Sequence, residues 1–221
     1  TPAGQLLTLQ EAARRVQVGL TAWSGLADKP ELLSETLALI DECKSCMIEP
    51  EMLFRASEES ALDEDAALSA KLCDLAQILT QYDSLCEETL PDPRDRLTHL
   101  RDGLAESHVL DGAEVYLDGF LSYTPQELAI IEVMLSSGVP LTAAVTCDVE
   151  LPDVFVTGCR TLRTLTRMAE RCSRRPELVD LGAGKMPRPA GLAAVANEAL
   201  LPVRQAHEDA SGVRLYEAAS P

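Results

Sequence analysis

AEVYLDGFLSYTPQE, residues 113–127, is the stretch that decides the fold class. The turn dipeptide Asp111-Gly112 precedes it, and Ala113 to Leu117 then form an apolar run that predicts a short buried strand. Thr124 to Glu127 follow the capping-box pattern, in which a threonine hydroxyl and a glutamate side chain satisfy free N–H groups at the start of a helix. The stretch therefore predicts a strand that leads into a helix.

The residues after this stretch predict a second strand. The helix is expected to run through Leu135, because Gly138-Val139-Pro140 breaks it. Leu141 to Cys147 is an apolar run rich in β-formers. Two strands joined by a helix in so few residues imply a right-handed crossover with parallel pairing. Residues 111–150 are therefore predicted to be a βαβ segment.

The residues before the stretch predict helices. Apolar side chains recur at helical spacing over Leu6 to Leu20, Glu31 to Met47 and Ala67 to Cys86. Asp92 and Pro93 then supply an N-cap and a first-turn proline for another helix. Residues 1–110 are thus expected to form a helical bundle, and the fold class is a helix-rich α/β fold with a partial parallel sheet.

The last part of the chain, residues 151–221, carries a weaker pattern and is expected to be a mixed α/β connection. Helices are predicted at Arg160–Arg171 and Leu192–Leu201. A strand is predicted at Glu177–Leu181, a loop at Gly182–Pro189, and the opening of a second strand at Val213–Glu217. Gly182 to Lys185 partly matches a nucleotide-binding loop. Val179 occupies its first glycine position and Met186 replaces its Ser or Thr, so a plain loop is predicted.

The charge of the chain limits what it can bind. The formal net charge is −17, which repels phosphates over most of the surface, so weak DNA binding is expected from the isolated chain. Arg160, Arg163, Arg167 and Arg171 share one face of a predicted helix. This face is the candidate contact with DNA or with an acidic partner, and a solvated helix face is the alternative interpretation.

The positions of the cysteines and histidines in the sequence do not predict a metal site. The chain has seven cysteines, an odd number, and its first residues do not follow the pattern of a secretory signal. These two observations predict free thiols and a cytoplasmic location. Cys43 and Cys46 form a CxxC inside a predicted helix without a second pair, which favours core residues over zinc ligands. His99, His108 and His207 are expected on the surface. No apolar run approaches the roughly 18 residues that span a bilayer, so no membrane contact is expected.

Asp118, Gly119 and Gln126 resemble a damaged Walker B motif. In a working helicase an apolar strand ends in Asp-Glu, where the Asp holds Mg²⁺ through water and the Glu orients the attacking water, and a Gln follows a few residues later. Asp118 and Gln126 are retained here, but Gly119 stands in the place of the Glu. Asp118 is either a vestigial Mg²⁺ ligand or a polar residue that ends the strand, and no catalytic residue is assigned.

The pattern YLDGF…YTPQE also resembles the AddB (RexB) family, the B subunits of bacterial ATP-dependent helicase-nucleases that process double-strand breaks. Further matches fall in the family's order, and the similarity covers most of residues 30–150. They are Ile48-Glu49-Pro50-Glu51, Leu72-Cys73-Asp74-Leu75, Asp95-Arg96-Leu97 and the strand from Leu141 to Asp148. Thr1, in place of an initiator methionine, favours a processed or excised piece, although trimmed numbering would look the same.

The resemblance implies an internal piece of a longer chain. Residues 1–110 would be the helical insertion (1B-like) of a P-loop helicase-like domain, 111–150 its return to the parallel sheet, and 151–221 a connection toward the next such domain. ATP, Mg²⁺ and an iron–sulfur cluster belong to the parent family, but their sites would lie outside this segment. The implied partners are an AddA-type helicase-nuclease subunit and DNA, which this pseudo-helicase half scans for a hotspot sequence.

Three functions are compatible with these observations. The first is a catalytically silent helicase-like segment that acts as a scaffold and DNA-handling element in recombinational repair. The second is an ATPase in its own right, against which the missing phosphate loop and Gly119 argue. The third is an acidic helical interaction module, which the charge permits and the YLDGF…YTPQE stretch disfavours.

Overall fold

A computed structural model of the chain describes residues 2–88, 92–149, 151–181, 189–198, 206 and 208–214. In these ranges the chain is helix-rich, as expected. Its helices are α1 Pro2–Val16, α2 Pro30–Ser45, α3 Pro50–Leu62, α4 Ala66–Glu88, α5 Arg96–Glu106, α6 Pro125–Ser137, α7 Val156–Arg171 and α8 Ala190–Glu198. Its strands are β1 Val115–Leu117 and β2 Leu141–Ala143. Helices α1 to α4 form a bundle, and the two strands pack with α6 and α7.

The bundle encloses an aliphatic core. Leu9 of α1, Ile40 of α2 and Ile78 and Leu79 of α4 are almost fully buried there. The apolar side chains predicted to share one face of α4 are buried in the second half of the helix, whereas Leu68 in the first turn is 44% exposed. Helical spacing marks a face of a helix, but only the elements that pack on it decide how much of that face is covered.

Helix α3 was not anticipated from the sequence. Its core contribution is small, since only Leu53 and Ser57 are buried along its length. The Ser57 hydroxyl donates to the backbone oxygen of Ser69 at 2.8 Å and ties α3 to α4. Pro50 opens the helix, and the rest of its surface is acidic or exposed, so the apolar period that identifies the other helices is weak here.

A buried carboxylate joins the α1–α2 connection to α4. Asp74 is 1% exposed, and its oxygens accept the backbone N–H groups of Thr21 and Trp23 at 2.9 Å. No cation pairs with this carboxylate among the described residues. Hydrogen bonds to backbone N–H groups compensate the cost of burying the charge and hold the connection in place.

A buried lysine joins four segments at the other end of the bundle. The Lys44 ammonium lies 2.8 Å from Asp83 of α4 and 2.9 Å from Asp95, and 3.6 Å from Asp92, whose side chain is fully buried. Gln5 of α1 donates to the same Asp92 at 3.1 Å. The network thus connects α1, α2 and α4 with the single turn Pro93–Asp95 that starts α5.

The charges of Lys44 and Asp92 in this network stabilise each other, whereas burial leaves the pKa of Asp83 raised despite its hydrogen bond with Lys44. Burial alone lowers the pKa of Lys44, but its hydrogen bonds with Asp83 and Asp95 outweigh burial and leave that pKa raised. Burial alone raises the pKa of Asp92, but the N–H of Arg94 and the charge of Lys44 hold it below its usual range. Both groups are therefore kept charged in the folded protein.

Replacing Lys44 with Met is expected to lower the free energy of unfolding at pH 7 by about 3 kcal/mol, because it removes one of the two cations near the buried charge of Asp92 and the shared partner of Asp83 and Asp95. The folded state holds the pKa of Asp92 below its unfolded value, so this stabilisation is present above the unfolded value and is lost as the pH falls through the folded one. The loss caused by Lys44→Met should therefore shrink toward about pH 3.

Urea unfolding followed by circular dichroism at both pH values measures this effect. Lys71→Met is the matched control, because Lys71 lies exposed on α4, and it should change stability by no more than about 0.5 kcal/mol. Equal losses for the two variants at pH 7 would contradict the assigned role of Lys44.

The two strands are parallel, as predicted, with Val115 opposite Leu141 and Leu117 opposite Ala143. The Thr124 capping box is formed, and Gly138 ends α6 with a φ of 90°. Both strands are shorter than predicted, and β1 is not a buried strand, since Tyr116 is 69% exposed. A parallel strand normally has both faces covered, and here one face is open.

The end of the chain corrects two further expectations. Residues 177–181 form no strand, and Leu178, Val179 and Leu181 are 67–77% exposed. Helix α7 begins at Val156, before the predicted Arg160, and α8 covers the start of the predicted helix from Leu192 to Leu201. Residues 182–188, most of the predicted loop, and residues 215–217 of the last predicted strand lie outside the described residues, and no strand is formed at residues 213–214.

Gly158 allows the first turn of α7 to reach the segment that follows β2. A Cβ added at this position would overlap the backbone oxygen of Thr146 and lie 3.1 Å from the Cβ of Cys147. The backbones of α7 and of this segment are therefore in direct contact. Ile131, Leu135, Met168 and Ala169 form the buried cluster between α6 and α7.

Gly158→Ala should lower the free energy of unfolding by about 3 kcal/mol, because the new methyl group cannot fit without moving backbone. Gly103→Ala is the control, since Gly103 lies within α5 with no atom within 4 Å of an added Cβ. It should raise stability by about 0.5–1 kcal/mol through helix propensity. Urea unfolding compares the two, and a neutral Gly158→Ala would show that α7 does not pack as described.

Candidate functional site

The carboxyl end of β1 carries the Asp118 of the predicted Walker B remnant. Asp118 is exposed in the loop directly after the strand, and the next residue, Gly119, has a φ of +80°. No atom lies within 4 Å of a Cβ added at Gly119. The position therefore disfavours other residues because of its backbone conformation and not because of its neighbours.

Gln126 is engaged away from Asp118. It is 6% exposed, and its amide nitrogen donates to the backbone oxygen of Arg94 and to the Thr98 hydroxyl, both at 3.2 Å. These bonds attach the first turn of α6 to the start of α5. Among the described residues no hydrogen bond joins Gln126 to Asp118, so these two residues of the predicted motif do not form one constellation.

A pair of stacked aromatic rings follows Asp118. The ring centroids of Phe120 and Tyr123 are 4.9 Å apart with 25° between their planes, and Phe120 is 41% exposed. The Thr161 hydroxyl of α7 donates to the backbone oxygen of Leu121 between them at 2.8 Å. This pair was not anticipated from the sequence, although two aromatic residues three positions apart are a signal in a chain with 4% aromatic residues.

The arginine face of α7 is exposed along its whole length. Arg160, Arg163, Arg167 and Arg171 all lie on the surface, at the helical spacing expected. Arg171 lies 3.7 Å from Glu132 of α6, whereas the other three form no ion pair within the described part of the chain. The buried Thr161, which holds the aromatic loop, directly follows Arg160 in the sequence of α7.

Arg174, just after α7, has a structural role. Its Nε donates to the backbone oxygen of Leu135 at 2.9 Å, near the carboxyl end of α6. A guanidinium in this place satisfies a free carbonyl group and interacts favourably with the helix dipole. Gly138 has no side chain to block it, since an added Cβ would lie 2.7 Å from Arg174.

The thiols and histidines form no metal-binding constellation in the described ranges. Cys43 is buried in α2, and Cys46 is exposed just after the helix end. Burial raises the pKa of the Cys43 thiol, which opposes the thiolate form that metals need. No group of three potential metal ligands is found among the described residues. His99 and His108 are exposed, and His207 lies outside those residues.

The described residues do not bring together the groups that bind ATP with Mg²⁺ or an iron–sulfur cluster, whose sites the resemblance implies elsewhere in the parent chain. A nucleotide with Mg²⁺ needs a backbone cradle, a Lys, a Ser or Thr and two carboxylates, and Asp118 alone is available at the carboxyl end of β1. An iron–sulfur cluster needs four converging thiolates, which the described cysteines do not supply.

Within the described residues no helix is both long and apolar enough to cross a membrane.

A family model for the N-terminal region of AddB matches residues 1–185. The chain belongs to the AddB family. Similar AddB proteins are each named as the B subunit of an ATP-dependent helicase/deoxyribonuclease. The protein of Symbiobacterium thermophilum is 34% identical over 61% of this chain, that of Acetivibrio thermocellus 30% over 76%, and that of Moorella thermoacetica 30% over 95%. These alignments cover 12%, 15% and 19% of the relatives, so the chain corresponds to a small part of a full-length AddB.

No ATP hydrolysis is expected from the chain or from Gly119→Glu, because a restored carboxylate still has no bound nucleotide to act on. The substitution should also cost about 1–2 kcal/mol, since Glu is strained at a φ of +80°. Gly119→Asn should cost less, because Asn tolerates this conformation. Phosphate release and urea unfolding measure the two effects. Turnover in the wild type that Asp118→Ala abolishes would reveal a nucleotide site.

Proposed function

We propose that this chain is a catalytically silent, helicase-like segment of an AddB-type subunit of an ATP-dependent helicase/deoxyribonuclease. It acts as a scaffold and DNA-handling element in the processing of double-strand breaks and in recombinational repair. The match of the family model over residues 1–185 supports its place in such a subunit. The observation that carries the silent role is the engagement of Gln126 with Arg94 and Thr98, away from Asp118.

The segment would belong to a P-loop helicase-like domain whose catalytic parts are degenerate. Residues 1–110 would form the helical insertion, 111–150 the βαβ return to the sheet, and 151–221 the connection onward. The parallel pairing of β1 with β2 is compatible with this division, since parallel strands joined by a helix are the building unit of such domains. In the parent protein ATP, Mg²⁺ and an iron–sulfur cluster would be held elsewhere, and an AddA-type subunit would be the partner in the cytoplasm.

The exposed part of α7 is the proposed DNA contact. Arg160, Arg163 and Arg167 have no ion pair among the described residues and are free to approach phosphates. The exposed Phe120 ring lies in the loop that α7 anchors, where a base could stack on it. The net charge of −17 opposes any other broad contact with DNA, so the contact is restricted to this face.

Single-stranded DNA should bind this face weakly, with a Kd of about 10–100 µM at physiological salt. Arg163→Glu with Arg167→Glu should weaken binding by about tenfold or more and reduce the salt slope by about 1.4, since two phosphate contacts are lost. Fluorescence anisotropy with a labelled oligonucleotide across a salt series gives both quantities.

Arg14→Glu with Arg55→Glu is the matched control, because it makes the same change in net charge at exposed residues of α1 and α3. Any loss of binding in this control measures only the general repulsion between the more negative chain and the DNA phosphates. If both double variants weaken binding equally, α7 is no specific contact, and sub-micromolar binding by the wild type would mean that a stronger site lies elsewhere.

A further inference from the structure

An open groove runs along α6, between α5 and α7. It encloses about 770 Å³, and its apolar lining comes from three segments. Leu128, Ala129 and Val133 of α6 form the floor, Met47 lies toward the α2 side, and Met168 lies on the α7 side. All except the buried Met168 are half-buried, so apolar surface is left uncovered in the groove.

The dimensions of the groove match a helix. Its lining follows α6 from Pro125 to Ser137 at steps of three and four residues, which is the whole 13-residue helix. Thirteen residues of α-helix extend about 20 Å. A partner helix of similar length would lie against α6 between two existing helices, which is a common mode of peptide recognition. The methionines at two sides of the groove allow the lining to adapt to the partner.

The groove is lined by two arginines and one glutamate, although the chain as a whole is strongly acidic. Arg101 of α5 and Arg171 of α7 line opposite sides, and Arg167 lies one turn before Arg171. Arg171 interacts with Glu132 across 3.7 Å between two largely exposed side chains, a contact of little strength that a partner carboxylate can replace. Arg101 pairs with the exposed Asp102 next to it. The rim therefore favours a partner with carboxylates on both flanks.

From this geometry we propose that the α5–α6–α7 groove binds an amphipathic helix of a partner protein, with an apolar stripe against α6 and acidic residues facing Arg101 and Arg171. DNA fits this groove less well, because a phosphate backbone would leave the apolar floor uncovered while it reached the arginines. The inference goes beyond the proposed DNA contact, because Arg101 and Arg171 line the groove and the Arg160, Arg163 and Arg167 of that contact do not.

Two labelled synthetic helices of about 13 residues test the proposal, each with leucines at steps of three and four. One carries glutamates on both flanks of the leucine stripe, and the other carries lysines. Fluorescence anisotropy with the 221-residue chain should give at least about tenfold tighter binding for the glutamate helix. Ala129→Glu places a carboxylate in the floor and should weaken that binding about tenfold. The control Ala61→Glu, on an exposed position of α3, should not.

A charge reversal keeps the proposal testable if Ala129→Glu disturbs the fold. Arg101→Glu with Arg171→Glu should invert the preference, so that the lysine helix binds more tightly, a result that a merely structural defect does not produce. Arg175→Glu, exposed and outside the groove, should leave the preference unchanged. Equal binding of the two helices, or no effect of Ala129→Glu in a folded protein, overturns the proposal.

Oligonucleotide binding measured on the same variants separates this inference from the proposed function. Both groove variants keep Arg160, Arg163 and Arg167, so single-stranded DNA should bind Ala129→Glu as it binds the wild type. If the oligonucleotide displaces the glutamate helix and its own binding is lost in Ala129→Glu, the groove is a nucleic-acid surface and the protein-docking proposal fails.

Discussion

The buried ammonium of Lys44 is the contact on which the arrangement of the helices depends. It lies among the carboxylates of Asp83, Asp92 and Asp95, so that one cation joins α2 to α4 and to the turn that starts α5. Asp92 has no other close cation among the described residues except Arg94, whose NH1 is 3.5 Å away. Because a buried carboxylate without a counter-ion is costly, the start of α5 is held where Lys44 can reach it.

This anchor positions the rest of the structure through one further residue. Asp92 caps the turn by accepting the N–H of Arg94, and the carbonyl group of that same Arg94 accepts the amide of Gln126. Gln126 lies in the first turn of α6, whose other end is held by Arg174, so the α6 helix is fixed at both ends. The parallel strands and α7 then pack on α6. A series of hydrogen bonds and packing contacts thus connects the helical bundle with the arginine face of α7.

Local signals in the sequence predicted most of the helices and the parallel pair of strands, whereas contacts between distant residues were not predictable. The Thr124 capping box and the Asp92 cap before Pro93 depend on neighbouring residues and are formed as expected. Residues 177–181 have β-forming side chains but no strand beside them, and propensity alone does not make a strand. The Asp74 and Lys44 contacts join residues about 50 positions apart, which no local pattern encodes. Of the candidate site, the exposure of the arginine face was predictable from helical spacing, while the separation of Gln126 from Asp118 was not.

The backbone conformation at Gly119 determines the shape of the loop after β1. A φ of +80° directs the chain away from β1 toward Leu121, whose carbonyl group accepts the Thr161 hydroxyl, and brings Phe120 and Tyr123 together. A glutamate at this position would oppose that turn because L residues with side chains disfavour the left-handed region. The loop conformation favours glycine at position 119. A helicase that hydrolyses ATP would need a glutamate at the same position, so one residue cannot meet both requirements. In this chain the position carries the glycine that the positive φ favours, and the loop after β1 presents the exposed Phe120 ring.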